Sequence, residues 1–319
     1  MNFNESNAFT SISRFSKKYR IIEKIGEGSY GKVLKAENPE TKELSAIKIY
    51  KIQDNKEGIH PTILREIVLL KSLRNHPNIV QLKGVIAASN QIEIDLEYCE
   101  GDLFKFIRFC KNDPLIYNMD SIKSIIYQIL NGVSELHSSK IFHRDLKPAN
   151  ILIKNGIVKI GDFGLSRVYS LPNIPYSKNI STLWYRAPEL FLGMDKYSTS
   201  VDVWSIGCIF VELICKEPMF PASTEVGMIQ KMIEVFGNFF IDGKLLPGVK
   251  YFDNYYKLES YFSKGTEKIG LEEYLREKSK FSLTREMVDL IGKMLQIDPC
   301  NRISCIEALK DPFFTNTQK

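Results

Sequence analysis

Apolar and polar positions change rhythm once along this chain. Over residues 19–97 they alternate or cluster in short runs between turn-forming breaks such as Asn38-Pro39. That pattern predicts strands over residues 19–25, 32–36, 44–50, 80–86 and 92–97. One stretch in this region has another period. Residues 63, 64, 67, 69, 70 and 73 are apolar, close to a 3.6-residue repeat, which predicts a helix over residues 62–73 with Pro61 in its first turn. After Glu97 helical patterns dominate, over residues 103–110, 121–137, 201–215, 224–236 and 285–296. Two β-type runs, 151–153 and 157–160, flank Asn155-Gly156, a strong hairpin signal. The change of rhythm falls at Tyr98-Cys99-Glu100-Gly101, a connector predicted to act as a hinge. A small β-rich part and a larger helical part would leave a cleft, the default place for a ligand. Residues 244–281 are irregular and rich in aromatics, Lys and Glu, and read as an insert with local helices. No internal repeat is evident.

Composition adds limits. With 319 residues the chain is long enough for two domains or one two-lobed one, and 44% hydrophobic with 25% charged residues is ordinary for a soluble globular protein. The net charge of +5 comes without a Lys/Arg block long enough to argue direct nucleic-acid binding. No apolar run approaches the roughly 20 residues of a membrane helix. Residues 1–16 lack the apolar core of a secretory signal and read as part of a disordered tail. The six cysteines form no Cys-x-x-Cys pair, so reduced core thiols of an intracellular protein are expected. His76, in Asn75-His76-Pro77-Asn78, reads as a turn residue.

The chemistry concentrates in His143-Arg144-Asp145-Leu146-Lys147-Pro148-Ala149-Asn150 and, beyond the hairpin, Asp162-Phe163-Gly164. A hairpin of that size returns the chain to its start, so Asp145, Asn150 and Asp162 can converge. Two carboxylates, an amide oxygen and a lysine suit a divalent cation and phosphate oxygens. Gly26-Glu27-Gly28-Ser29-Tyr30-Gly31-Lys32-Val33 fits G-x-G-x-x-G-x-V. Glycines so spaced also serve ordinary hairpins. Because residues 32–36 continue as strand, a hairpin over phosphates fits better than a dinucleotide site. Lys48, in Ala46-Ile47-Lys48, lies among apolar neighbours and needs an anionic partner if it points inward; Glu66, on the helix that should pack on this sheet, offers one.

Taken together these motifs resemble the eukaryotic protein kinases, whose signature set the chain repeats in order, ending with Ala187-Pro188-Glu189. The resemblance covers about residues 19–314. It implies an α+β, two-lobed kinase fold: a disordered tail over 1–18, a β-rich N-lobe over 19–97, a hinge over 98–101, a mainly helical C-lobe over 102–314 and a tail over 315–319. It further implies ATP and Mg²⁺ as cofactors. Lys48 would hold the α/β-phosphates and pair with Glu66, Asp162 and Asn150 would bind Mg²⁺, Asp145 would accept the substrate hydroxyl proton and Lys147 would steady the γ-phosphate. Residues Ile25, Gly26, Glu27, Gly28, Ser29, Tyr30 and Gly31 would cover the nucleotide. Adenine would lie between Ile25, Val33 and Ala46 on one side and Leu152 on the other, bonded to the backbone of Glu97 and Cys99, with Leu96 as gatekeeper. Lys147 resembles the Ser/Thr kinases.

Residues 182–189, Thr-Leu-Trp-Tyr-Arg-Ala-Pro-Glu, are similar to the cyclin-dependent kinases, as are residues 197–209 and 298–304. In that family Glu189 pairs with Arg302. Residues 57–66 are similar to the cyclin-contacting helix, with the proline displaced after His60 and Ile63 in place of a small residue, which marks a divergent or transcription-associated member. The resemblance implies a cyclin as partner, protein substrates with Ser or Thr before Pro (Arg186 lying beside the proline pocket), and work in nucleus or cytoplasm, in cell-cycle or transcription control. Ser177 sits five residues before Thr182, where the family carries its activating phosphate. Arg65, Arg144 and Arg167 match the arginines that receive it, so an activating kinase is expected. Ser29 and Tyr30 align with inhibitory phosphosites. Three alternatives make different predictions. A pseudokinase scaffold would lack Lys48, Asp145 or Asp162, and a MAP-type kinase would carry a Thr-x-Tyr pair, which residues 171–179 do not offer. A small-molecule kinase would lack the Ala-Pro-Glu segment.

Overall fold

The structure, a computed structural model, describes residues 18–28, 31–52, 59–88, 91–168, 183–191, 198–237, 240–241, 244–245 and 268–315. Ser29, Tyr30, Ser177, the first 17 residues and most of the irregular insert lie outside the described residues, as does the side chain of Arg167. The chain divides into two compact units, one running to Asn75 and including Ile79–Glu100, the other holding His76–Asn78 and everything from Gly101 onward.

The first unit is a five-stranded antiparallel sheet, β1 (Arg20–Gly28), β2 (Gly31–Glu37), β3 (Leu44–Lys51), β4 (Leu82–Ala87) and β5 (Gln91–Glu97), in the order β1-β2-β3-β5-β4. One helix, α1 (Pro61–Ser72), packs against β4. Pro61 opens the helix where a missing N–H costs nothing, and the His60 side chain accepts from the Thr62 N–H. Ile63, Ile67, Leu69 and Leu70 form the buried stripe. Paired residues share a face, so register sorts the sheet into two sides. One face carries Val33, Lys48 and Ile94 in register, with Ala46 beside Leu96. The other carries Leu34, Ala36, Ile47 and Ile49 in a core closed by Tyr19, whose hydroxyl donates to Asp95 over 2.7 Å. The strand expected from residue 80 starts at Leu82, because the Gln81 N–H bonds instead to the Glu97 carboxylate at 2.8 Å.

The second unit is mainly helical. A small sheet of β6 (Gly101–Asp102), β8 (Ile151–Lys154) and β9 (Ile157–Ile160) accompanies a two-stranded pair of β7 (Ile141–Phe142) with β10 (Arg167–Val168). Asn155 and Gly156 both take positive φ, 49° and 77°, the requirement of the tight turn that their sequence predicts. The helices are α2 (Leu103–Cys110), α3 (Met119–Ser138), α4 (Pro188–Phe191), α5 (Ser200–Cys215), α6 (Glu225–Phe236), α7 (Leu271–Lys278), α8 (Arg285–Met294), α9 (Cys305–Ala308) and α10 (Pro312–Thr315). Strands β11 (Phe240–Ile241) and β12 (Lys244–Leu245) pair with each other. Every residue of α5 is buried. It contacts α3, α7 and α8, as an all-round apolar helix must. Gly207 allows its approach to the end of α8, since a Cβ there would lie 2.7 Å from Leu295.

The cysteines are free. Cys208, Cys215 and Cys305 are core residues, but Cys300 is exposed and Cys99 and Cys110 are half-buried, because they sit on loops and on the outer side of a short amphipathic helix. His76 does cap its turn, accepting from the Asn78 N–H at 3.2 Å.

Two buried charges hold α5 in place. Arg302 meets Glu189 in a bidentate pair at 2.8 and 3.1 Å, donates to the Ser200 carbonyl at 2.8 Å and lies 5.2 Å from the Trp204 ring. Removing one partner leaves the other buried and uncompensated. Arg302→Met should therefore cost about 3–5 kcal/mol in urea unfolding, and a loss below about 1 kcal/mol would contradict the pairing.

Glu212 accepts from the Tyr185 hydroxyl at 2.6 Å. Burial pushes its carboxyl up to about 7, although the Tyr185 bond acts the other way. The native state then binds more protons than the unfolded chain between the carboxyl's ordinary value of 4.5 and about 7, so stability falls as pH rises through that window. Glu212→Gln should remove this fall and be more stable than wild type at pH 8 by on the order of 3 kcal/mol. Parallel stability–pH curves for the two proteins would contradict it.

Candidate active site

The first unit places its expected site residues on one sheet face. Val33 and Lys48 are register partners, and Gly26 pairs with Val33 at the start of the β1–β2 hairpin. Gly28 pairs with Gly31, where the described chain resumes. Gly31 is obligatory for the protein itself: a Cβ would fall 1.9 Å from the Ile49 carbonyl oxygen. Gly26 is different, since a Cβ there would meet only Val33, at 3.7 Å. Ile25 is 40% exposed, and Val33, Ala46 and Leu96 are half-buried, so this face carries apolar side chains that the unit does not itself cover. Glu27 is exposed, and its contact with Lys24 lowers its carboxyl pKa. The Glu97 N–H is bonded to the Gln81 carbonyl at 2.9 Å, which leaves ligand recognition to its carbonyl. Cys99 is half-buried.

Lys48 points inward. Its ammonium donates to both Glu66 oxygens, at 2.8 and 3.1 Å. Glu66 is 1% exposed, so this carboxylate must be neutralised by donors where it sits. Tyr50 supplies a further donation to Glu66. Arg65, the next residue on α1, is half-buried.

In the second unit the segment after β7 is held by one carboxylate. Asp202, wholly buried in the first turn of α5, accepts from the His143 N–H at Oδ2 and the Arg144 N–H at Oδ1, both 2.8 Å, and contacts His137 Nε2 at 3.0 Å. Burial alone would raise its carboxyl. The bond to His137, the charges of His137 and His143, and the Arg144 N–H outweigh that and hold it below the usual range. Arg144 takes φ 73°, a left-handed conformation that a bulky residue adopts only when its surroundings dictate it.

Asp145 follows directly. Its Oδ2 accepts from Lys147 at 2.7 Å and from the Asn150 amide nitrogen at 3.0 Å, while its carbonyl takes a second bond from Asn150 at 2.8 Å. Asp145 and Arg186 line one cavity of about 10 Å³. The Gly161 N–H bonds to the Asn150 carbonyl at 3.0 Å, and the Gly161 carbonyl meets His143 Nε2 at 2.9 Å. These bonds hold Gly161 against the Asp145–Asn150 turn, and Asp162, exposed and left-handed at φ 58°, is the next residue of the chain after Gly161. Leu152, on β8, is half-buried, and a Cβ at Gly161 would lie 3.0 Å from its side chain.

The donor set suits a hard cation. With its amide nitrogen given to Asp145, Asn150 offers a side-chain oxygen, and Asp162 offers a carboxylate. Among the described residues no cluster of three or more His, Cys, Asp or Glu competes as a metal site. No helix among them is long and apolar enough to cross a membrane.

Sequence reasoning missed two groups. Asp202 falls within the family-like residues 197–209, and an acid inside a largely apolar helix is itself a signal of a buried partner. Tyr50 gave its signal in the strand period, which puts it on the same face as Lys48.

Comparison with protein-family models gives a match to the protein kinase domain over residues 19–314. With a β-sheet N-lobe of five antiparallel strands and a helical C-lobe, the chain belongs to the protein kinase family.

Proposed function

We propose that this chain is a cyclin-dependent Ser/Thr protein kinase that transfers the ATP γ-phosphate to Ser or Thr, preferentially before Pro. The observation that carries the reading is the Asp145–Lys147–Asn150 turn, whose side chains suit a phosphoryl-transfer loop within a chain of this family. The substrate hydroxyl oxygen attacks the γ-phosphorus, the bond to the β-phosphate oxygen breaks and ADP leaves. The hydroxyl proton goes to the Asp145 carboxylate, which Asn150 orients. Lys147, 2.7 Å from that carboxylate, steadies the γ-phosphate in this reading, and Lys48 holds the α/β-phosphates from the sheet of its own unit. Mg²⁺, when bound by Asn150 and Asp162, neutralises charge on the phosphate oxygens.

Lys147 at its position in the loop supports Ser/Thr specificity, and the kinase-like residues 182–189 support a protein substrate. For the proline preference the support is the similarity of residues 182–189, in which Arg186 stands. For a cyclin the support is the similarity of residues 57–66 together with α1 itself. Leu64 and Val68, one turn apart, are 47% and 63% exposed, an apolar strip suited to a partner's apolar surface. Regulation at Ser177, with Arg65, Arg144 and Arg167 as receivers, belongs to the same reading, as do inhibitory sites at Ser29 and Tyr30. So does a place in cell-cycle or transcription control in nucleus or cytoplasm.

Three outcomes test this. With cyclins supplied, Asp145→Asn should lower phosphate transfer to a Ser-Pro peptide by about 10²–10⁴-fold with little change in ATP affinity; equal rates would end the reading. On a peptide array the active protein should favour Pro after the phosphoacceptor, and an array without that bias removes the substrate class. A Val68→Asp variant that still gains full activity from the same cyclin would remove the partner face on α1.

A further inference from the structure

We propose that Tyr50 is a positioning residue for the lysine that holds the phosphates, fixing the Glu66 carboxylate through its hydroxyl and the Lys48 ammonium through its ring. This rests on the nucleotide-binding reading above and adds a residue to it. Lys48 and Tyr50 are two apart on β3 and so share a sheet face. The Tyr50 hydroxyl donates to Glu66 Oε2, and Lys48 Nζ lies 5.2 Å from the Tyr50 ring centroid, within the range of a cation–π contact. One side chain thus touches both members of the ion pair.

The geometry gives each contact a task. Lys48 alone could hold Glu66 in more than one orientation, because an ammonium is a rotatable point charge. A phenol hydroxyl on a rigid ring defines which Glu66 oxygen faces β3. Tyr50 is 3% exposed and Glu66 1% exposed, so water does not substitute readily for that donor. Burial, reinforced by the neighbouring Glu66 charge although opposed by Lys48, raises the phenol above its ordinary value, which keeps the hydroxyl a donor at every working pH. A bond to Glu66 also draws charge from its carboxylate, and Lys48 keeps more of its own for phosphate. Tyr50 further pairs with Gly31, so the backbone of the same residue seats the end of the glycine hairpin.

Plain core packing would be served equally by phenylalanine, which makes Tyr50→Phe the informative variant. It keeps the ring and removes only the donor. Binding of a fluorescent ATP analogue with Mg²⁺ should weaken about tenfold, with kcat at saturating ATP within about twofold of wild type, the loss expected from one charge-assisted hydrogen bond. On a Glu66→Gln background the same substitution should change affinity less than about twofold, because its effect passes through Glu66. If Tyr50→Phe melts below the assay temperature, Tyr50→Gln and Tyr50→Leu replace it. Both lack the ring and only Gln donates, so Gln should bind the analogue more tightly. Wild-type affinity in Tyr50→Phe, an undiminished effect on the Glu66→Gln background, or equal affinity of Gln and Leu overturns the proposal. A wild-type protein that binds no analogue would instead defeat the nucleotide reading beneath it.

Discussion

Asp202 is the constraint on which the active segment depends. A carboxylate buried in an apolar helix is unfavourable unless its oxygens are filled, and here the two backbone N–H groups of His143 and Arg144 and the ring of His137 fill them. To present both N–H groups to one carboxylate the chain must turn sharply, and Arg144 takes the left-handed conformation that this turn requires. The next residue is Asp145. A buried acid on α5 therefore sets the direction of the proposed base, and a strained φ beside the site is the local cost of doing so.

The first unit solves a similar problem with different parts. Glu66 is buried on α1 and acquires donors from one strand, two from Lys48 and one from Tyr50. Such a pair contributes little net stability, since desolvation offsets most of the attraction. Its value lies in orientation: an ammonium bonded to both oxygens of an immobile carboxylate is held in one place, which is what the proposed phosphate contact requires of it. In both units the functional charge is aimed by a second, buried charge. Glu189 and Arg302 apply the same rule to architecture, tying the Ala187-Pro188-Glu189 segment to the start of α5.

Much of this was legible in the residues. Asn155-Gly156 encodes its own turn, because few other pairs tolerate two positive φ angles in succession. The period of residues 63–73 gives α1 within a residue or two, and the helical pattern of residues 201–215 gives α5 to within one residue. Pairing of Lys48 with Glu66 was also readable, since an inward lysine demands an anion. What could not be read were contacts between distant positions with no local period. Nothing near Asp202 says that its partners lie about sixty residues earlier, and nothing near Gln81 says that a side chain of Glu97 will take its N–H and delay β4 to Leu82. Tyr50 fell between the two cases. Strand alternation gives its face, but a tyrosine on a half-buried strand reads first as packing.

The most direct measurement is transfer of labelled phosphate by Asp202→Asn, set against its circular dichroism and its affinity for nucleotide. Asparagine keeps the size of the side chain but replaces one acceptor oxygen by an NH2 donor, so one of the two backbone N–H groups of His143 and Arg144 meets a donor and the segment carrying Asp145 loses half of its anchor. The account predicts a fall in transfer of at least about a hundredfold, with helical content kept and nucleotide affinity changed by only a few-fold. Wild-type transfer in a folded Asp202→Asn protein would contradict it.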